Sequence, residues 1–308
     1  MNIYFTDYAE YLSRFFGAMK VQKISVNSGG TCPNRDGRIG KGGCIYCNNR
    51  SFTPGYCMDG KDIANQIAEG KAFFGRKYSE MKYLAYFQSY TSTYTADIEC
   101  LQRQWEEALS QEDVVGLIVG TRPDCIPDEI AKVLADLNRQ RPIFVELGVE
   151  TLRDETLRKI NRGHDAECSL ESIKRLAAMG LHVGVHMIAG LPGEDDEQVL
   201  DNIDNICRQN IESIKLHHLQ VLRGTALHKM WMDGEIDVKP YVPERYLDLC
   251  VEVVKRVPRR IAIERFLASS PPGMVEAPRW GLKNYEFTNL LINRLKKEYG
   301  GLRNNNKE

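Results

Sequence analysis

The chain has 308 residues, 43% hydrophobic and 27% charged, with a formal net charge of −1, which is ordinary for one large α/β domain or two smaller ones. That balance gives no general electrostatic pull toward nucleic acid or anionic membranes, and no run approaches the roughly 18 apolar residues of a membrane span. The opening MNIYFTDYAEYL carries acidic and aromatic residues where a secretory signal needs a basic flank and an apolar run.

Short apolar runs alternate with amphipathic stretches along most of the chain. Strands are predicted at VQKISV (21–26), YLAYFQ (83–88), VVGLIVG (114–120), IFVELGVE (143–150), HVGVHMIAG (182–190) and ESIKLHHL (212–219). Helices are predicted around 61–78, 96–110, 127–139, 152–160, 167–179 and 195–209. Pro127 with Asp128 and Glu129 marks one helix start, and Gly180 marks a helix end. Near-continuous apolar strands alternating with helices predict a parallel sheet covered on its outer face. The expected architecture is α/β, a partial (β/α)6 TIM-like barrel, with a full eight-unit barrel and a doubly wound sheet as rivals. One domain is expected, with a barrel core over about 20–230 and a helical extension over about 231–308.

Functional residues of such folds belong at the carboxyl ends of strands. In VELGVE, alternation puts Val145, Leu147 and Val149 on one face and Glu146, Gly148 and Glu150 on the other. The apolar set should pack on helices, turning both carboxylates into the barrel. Arg122 falls on the same side as Ile118 and Gly120. His182 and His186 lie four apart on a strand, roughly 13 Å of chain, too far to share a metal. His217 and His218 read as substrate or core contacts. In the extension, PERYLDLCVEVVKRV and NYEFTNLLINRLKKEYG read as amphipathic helices, IERFLASSPPGMVEAPRW as irregular, and LRNNNKE as a frayed polar end. The basic stretches KRVPRR (255–260) and RLKK (294–297) read as solvated helix faces.

Nine cysteines is an odd number in a chain long enough not to need disulfides, which points to a reducing cytoplasm. Six are scattered and read as small packing residues. The other three, Cys32, Cys44 and Cys47, fall within SGGTCPNRDGRIGKGGCIYC, just after the first predicted strand. Cys44 and Cys47 form a C-x2-C pair able to direct two thiolates at one metal centre, and Cys32 supplies a third. A structural zinc or an electron-carrying iron–sulfur cluster takes four closed ligands. Three leave one metal position open.

The pattern C-x11-C-x2-C, with Tyr46 before the last cysteine, resembles the radical S-adenosylmethionine (SAM) superfamily. The usual first gap in that superfamily is three residues; longer gaps occur in the branch that includes the catalytic subunit of elongator. GTRPDCI (120–126), VELGVET (145–151), INRGH (160–164), HMIAGLPGE (186–194), LRGTAL (222–227), YFQSYTSTY (86–94) and APRW (277–280) also resemble that branch, in its YhcC/YtqA-type group.

The resemblance implies that Cys32, Cys44 and Cys47 hold a [4Fe–4S] cluster whose fourth iron is chelated by SAM. One electron, from a donor such as flavodoxin or ferredoxin, then releases a 5′-deoxyadenosyl radical that takes a hydrogen atom from substrate. It further implies Tyr46 near the adenine, and Gln88, Ser89 and Thr91 in place of the glycine-rich segment that commonly meets the SAM amino group. Arg162 is expected at the SAM carboxylate, Arg122 among the other SAM contacts, Glu146 and Glu150 at the ribose or amino group, and Gly190 and Leu191 in a turn against the adenine. Elongator-like relatives act on the wobble uridine of tRNA, so the implied substrate is tRNA, with remodelling of a carbon-5 substituent such as carboxymethylaminomethyl. No acetyltransferase domain is expected after the barrel, and no membrane partner. A radical enzyme acting on a small metabolite, and a non-catalytic metal-binding module, remain as alternatives.

Overall fold

The computed structural model of the chain describes residues 3–57, 60–75, 80–95 and 97–305, with 299–305 described by backbone only. The first half runs β1 (Thr6–Asp7), α1 (Tyr8–Phe16), β2 (Val21–Val26), α2 (Pro33–Asp36), α3 (Ile63–Gly75), β3 (Lys82–Phe87), α4 (Ile98–Ser110), β4 (Val114–Thr121), α5 (Asp128–Asn138) and β5 (Ile143–Glu150). It continues with α6 (Asp154–Lys159), α7 (Ala166–Ala178), β6 (His182–Ala189), α8 (Asp196–Cys207), β7 (Ser213–His218), β8 (Val221–Leu222) and α9 (Ala226–Met232). Last come α10 (Pro243–Arg256), β9 (Ala262–Arg265), β10 (Val275–Ala277) and α11 (Asn284–Asn305). Predicted helical residues 76–78 and 96, and the final 306–308, lie outside the described residues.

Eight strands form one all-parallel sheet in the order β1-β9-β7-β6-β5-β4-β3-β2. Its edges, β1 and β2, do not pair with each other, so the sheet is a half-barrel and the closed eight-unit rival is excluded. Six strands coincide with the predicted runs, and two were not expected. β1 is only two residues long. β9 arises inside the stretch read as irregular, which also supplies β10, paired with β8 in a small antiparallel sheet. At the far end, α11 carries the helix on through LRNN rather than fraying at residue 302.

Side-chain alternation divides the sheet as expected. Ala85, Phe87, Leu117, Val119, Val145, Leu147 and Val149 face outward into the apolar layer beneath the helices, with Trp105 of α4 and Ile130 of α5. Leu84, Tyr86, Ile118 and Phe144 face inward, where they meet Tyr11, Leu12 and Phe16 of α1. Helix α1 therefore closes the bottom of the half-barrel; Asp7 caps it by accepting from the Glu10 backbone N–H at 2.8 Å. Higher on the same inward face stand charged residues, among them Lys23, Glu146 and Lys215. Among the described residues no helix is long and apolar enough to cross a membrane.

Candidate active site

Above the apolar floor lies a cavity of about 240 Å³ lined by the carboxyl ends of β3 to β7 and β9 and by the cysteine loop. The loop is fixed by Ile45, wedged between the paired cysteines. Ile45 is buried with Leu157, Ile160, Leu191 and Leu227; its N–H donates to the Ile160 carbonyl at 3.1 Å, and its carbonyl accepts from Leu227 N–H at 2.8 Å. A tight turn, Cys47 N–H to Cys44 carbonyl at 2.9 Å, sets the pair.

Cys32, Cys44 and Cys47 all line this cavity. Asn34 Nδ2 donates to Cys44 Sγ at 3.8 Å and Arg162 Nη1 donates to it at 3.5 Å. Burial, then the neighbouring Cys44, pushes the Cys47 thiol up to about 12, while Arg35 and Arg162 oppose that rise. With cationic and amide donors behind them, the three thiols form a site that bound metal charge would relieve. Among the described residues no three His, Cys, Asp or Glu are gathered closely enough for a single metal ion. The donor set suits a polynuclear iron–sulfur cluster, in which each thiolate takes its own iron.

Around the thiols stand most of the residues expected at SAM. Tyr46, Gln88, Thr91, Arg122, Glu146, Glu150 and Arg162 line the same cavity. Arg162 donates to the Gly148 carbonyl and lies 3.6 Å from Glu150, yet keeps its buried Nε unpartnered. Arg122 grips Asp124 with two bonds of 2.8 Å and donates to the Arg162 carbonyl at 2.7 Å, leaving Nη1 unpartnered. Gly148 makes this packing feasible, since a Cβ there would sit 2.7 Å from both Arg162 and Glu150. Glu150 adopts a left-handed φ of 70° where the β5–β6 register slips between Gly148 and Glu150. That conformation costs a non-glycine residue strain and occurs at functional sites.

Three expected contacts do not reach the cavity lining. Ser89 is buried and accepts from Asn49 Nδ2 at 3.1 Å. Gly190 has φ +84° and faces Tyr241, whose ring would lie 2.8 Å from a Cβ, so the glycine serves a strand-to-helix turn packed on α10's approach. Leu191 is sealed into the apolar cluster around Ile45. Gln88 lines the cavity while its Nε2 donates to Ser25 Oγ at 2.7 Å and the Phe52 carbonyl at 3.0 Å.

Glu146 also departs from its expected role, because protein groups occupy it. Lys23 lies at 2.9 Å, Tyr86 OH at 2.6 Å and His186 Nε2 at 2.7 Å, with Lys215 Nζ also bonded. Burial opposes its charge, but Lys215, Lys23 and His186 outweigh that and hold the carboxyl well below the usual range. Glu264 completes the network through Lys23 at 2.7 Å and Lys215 at 3.1 Å. Lys215, Glu264 and Arg265 gave no sequence signal, whereas His217 and His218 line the cavity as anticipated.

Residues 26–206 match the radical SAM superfamily, and residues 211–297 match the radical SAM C-terminal domain. The chain is 37% identical to protein YhcC of Escherichia coli K12 over 270 residues, 87% of this chain and 85% of that one. It is 32% identical to YtqA of Bacillus subtilis over 281 residues, 91% and 86% of the two chains. A tRNA uridine(34) acetyltransferase of Methanocaldococcus jannaschii is 29% identical over 164 residues, 52% of this chain and 29% of that one. Among solved structures, Elp3 of Methanocaldococcus infernus lacking residues 1–46 has the same fold, with a TM-score of 0.69 at 20% identity; the match covers 92% of this chain and 64% of that one. Streptococcus suis SuiB bound to SAM gives a TM-score of 0.51 at 14% identity, covering 84% and 53% of the two chains. With the superfamily match covering more than half its length, the chain belongs to the radical SAM superfamily, whose members use a [4Fe–4S] cluster and SAM.

Proposed function

We propose that this radical SAM protein is an enzyme that remodels a carbon-5 substituent on the wobble uridine of tRNA, with a small electron-transfer protein such as flavodoxin or ferredoxin as donor. The observation that carries the radical half is that Cys32, Cys44 and Cys47 open into one cavity with Tyr46, Arg122, Glu150 and Arg162. In this reading the three thiolates hold the cluster, and Arg162, bonded to Cys44 Sγ, balances their charge. The unpartnered Nη1 of Arg122 and Nε of Arg162 are donors suited to the SAM carboxylate. Glu150 offers an acceptor for the SAM amino group or ribose, and Tyr46 an aromatic face for the adenine. Bound there, cluster and SAM supply one-electron cleavage of SAM and hydrogen-atom abstraction from substrate. The surrounding chain contributes position and exclusion of water, and α1 blocks entry from below.

The RNA half is supported by the relative named for tRNA uridine 34, the wobble position. Anaerobic reconstitution is expected to give about four irons per chain and 5′-deoxyadenosine from SAM with dithionite. One bound zinc and no SAM cleavage would sink the radical half. Nucleoside profiling of tRNA from a deletion strain is expected to show an altered wobble uridine. An unchanged profile, with accumulation of a metabolite, would replace RNA by a small-molecule substrate.

A further inference from the structure

The end of the cavity remote from Arg122, at the carboxyl ends of β7 and β9, holds polar groups that the reading above leaves without a role. Arg265, the last residue of β9, lines it, with Nε 3.3 Å from His217 Nε2. The adjacent carboxylate, Glu264, is engaged by Lys23 and Lys215, and Arg265 makes no ion pair among the described residues. His218 is 3% exposed, lines the cavity, and its Nδ1 is buried without a hydrogen-bond partner. Gln220 Oε1, in the same lining, is likewise buried and unpartnered.

The backbone explains how a guanidinium comes to point inward here. The β7–β9 register passes from Ile214 opposite Ile263 to Lys215 opposite Arg265, one residue out of step. In a regular strand Glu264 and Arg265 would face opposite sides of the sheet. The irregularity turns both inward, Glu264 to the lysines and Arg265 to the cavity, the kind of re-aiming that bulges perform beside functional sites. Three cations, Lys23, Lys215 and Arg265, then face two carboxylates, Glu146 and Glu264. Burial, then Arg265, His186 and Lys215, hold His217 well below the ordinary imidazole range, so it adds no charge of its own. A half-buried guanidinium with no ion pair, in a cavity that also holds buried orphan atoms, is left for a ligand to complete.

We propose that Arg265, flanked by His217 and Gln220, forms an oxyanion subsite that seats a carboxylate or phosphate of the substrate, with Gln220 Oε1 accepting from a neighbouring substrate N–H or O–H. The inference deepens the proposed function by giving the substrate's chemistry, and rests on that reading in taking the cavity as the reaction chamber and a uridine nucleotide as the substrate.

The test is calorimetric titration of the reconstituted holoenzyme, with SAM, against two matched pairs of probes. One pair is 5-carboxymethyluridine and its neutral carboxamide, 5-carbamoylmethyluridine; the other is uridine 5′-monophosphate and uridine. At least one anion is expected to bind roughly tenfold or more tightly than its neutral partner. Preference in the first pair assigns the anion to the base, and in the second to the backbone. Arg265→Gln is expected to abolish the preference while keeping iron content and SAM affinity, and Arg265→Lys to recover part of it. If Arg265→Gln does not fold, the lysine variant decides alone, through a preference reduced but not lost. Absence of any anion preference in the wild-type protein, or its survival undiminished in the Arg265 variants, overturns the subsite. The radical reading fails separately, through missing 5′-deoxyadenosine; the RNA reading fails through an unchanged tRNA profile together with no binding of any of the four probes, charged or neutral.

Discussion

The two ends of the cavity are built on opposite plans. At the thiol end the guanidiniums are ion-paired: Arg122 grips Asp124, and Arg162 spans Cys44, Gly148 and Glu150, each keeping one nitrogen unpartnered. At the β7–β9 end, Arg265 has only a neutral imidazole beside it, and His218 and Gln220 keep atoms without partners. Groups held rigidly by their neighbours suit a resident cofactor, whose geometry must be set before it arrives. A guanidinium with no ion pair suits a ligand that comes and goes. Between the ends sits the Glu146 network, which fixes the floor that both share.

The sharpest break of this contrast is Cys44→Ala. It is expected to abolish cluster loading and SAM cleavage while leaving the fold intact, read as iron content beside circular dichroism. Retained activity would contradict the thiol end's assignment. Next in size is Glu146→Gln, which leaves Lys215 and Lys23 buried without their principal counter-charge and should cost about 3–5 kcal/mol in denaturant unfolding. Because the folded-state pKa of Glu146 is depressed, its stabilisation is present above the unfolded value and lost as pH falls through the folded one. The gap between wild type and variant should therefore close in acid, below about pH 4; a gap independent of pH would show that packing, not charge, is responsible.

A smaller effect concerns the imidazoles. Burial lowers His186, His217 and His218, the last to about 3. Their neutral forms are favoured in the folded state, so stability contributed above the unfolded pKa of about 6.5 is lost as pH falls through that window. Unfolding free energies between pH 7.5 and 5 should decline with a slope that reports proton uptake on unfolding. A flat profile would mean that these imidazoles bind protons alike in the folded and unfolded chains. Smallest is Cys207→Ala, buried at the end of α8 in the main apolar core, expected to leave iron content and SAM cleavage unchanged; cluster loss there would contradict the ligand assignment.

The gathering of the three cysteines at one cavity was legible because they fall within 16 consecutive positions, 32–47. Six strands were legible because continuous apolar runs such as VVGLIVG need burial on both faces. β9 was not, since half of its four residues are charged and both charges face inward, which a period of two forbids. Arg265 was hidden for the same reason. Gly190 misled in the other direction: its glycine is required by a left-handed turn, and Tyr241, 51 positions away in the chain, fills the space in which an adenine was expected. Glu146 was placed on the correct face by alternation, but Lys23 and Lys215, which claim it, come from strands far away in sequence.

The anchoring of Ile45 has a consequence for biogenesis. Its two backbone bonds run to Ile160 and Leu227, so the segment carrying the thiols takes shape only after most of the polypeptide has been made and folded. In zinc fingers the metal organises an otherwise unfolded peptide. Here the loop is braced instead by protein contacts from distant parts of the chain, so a metal bound at its cysteines would meet a backbone already positioned.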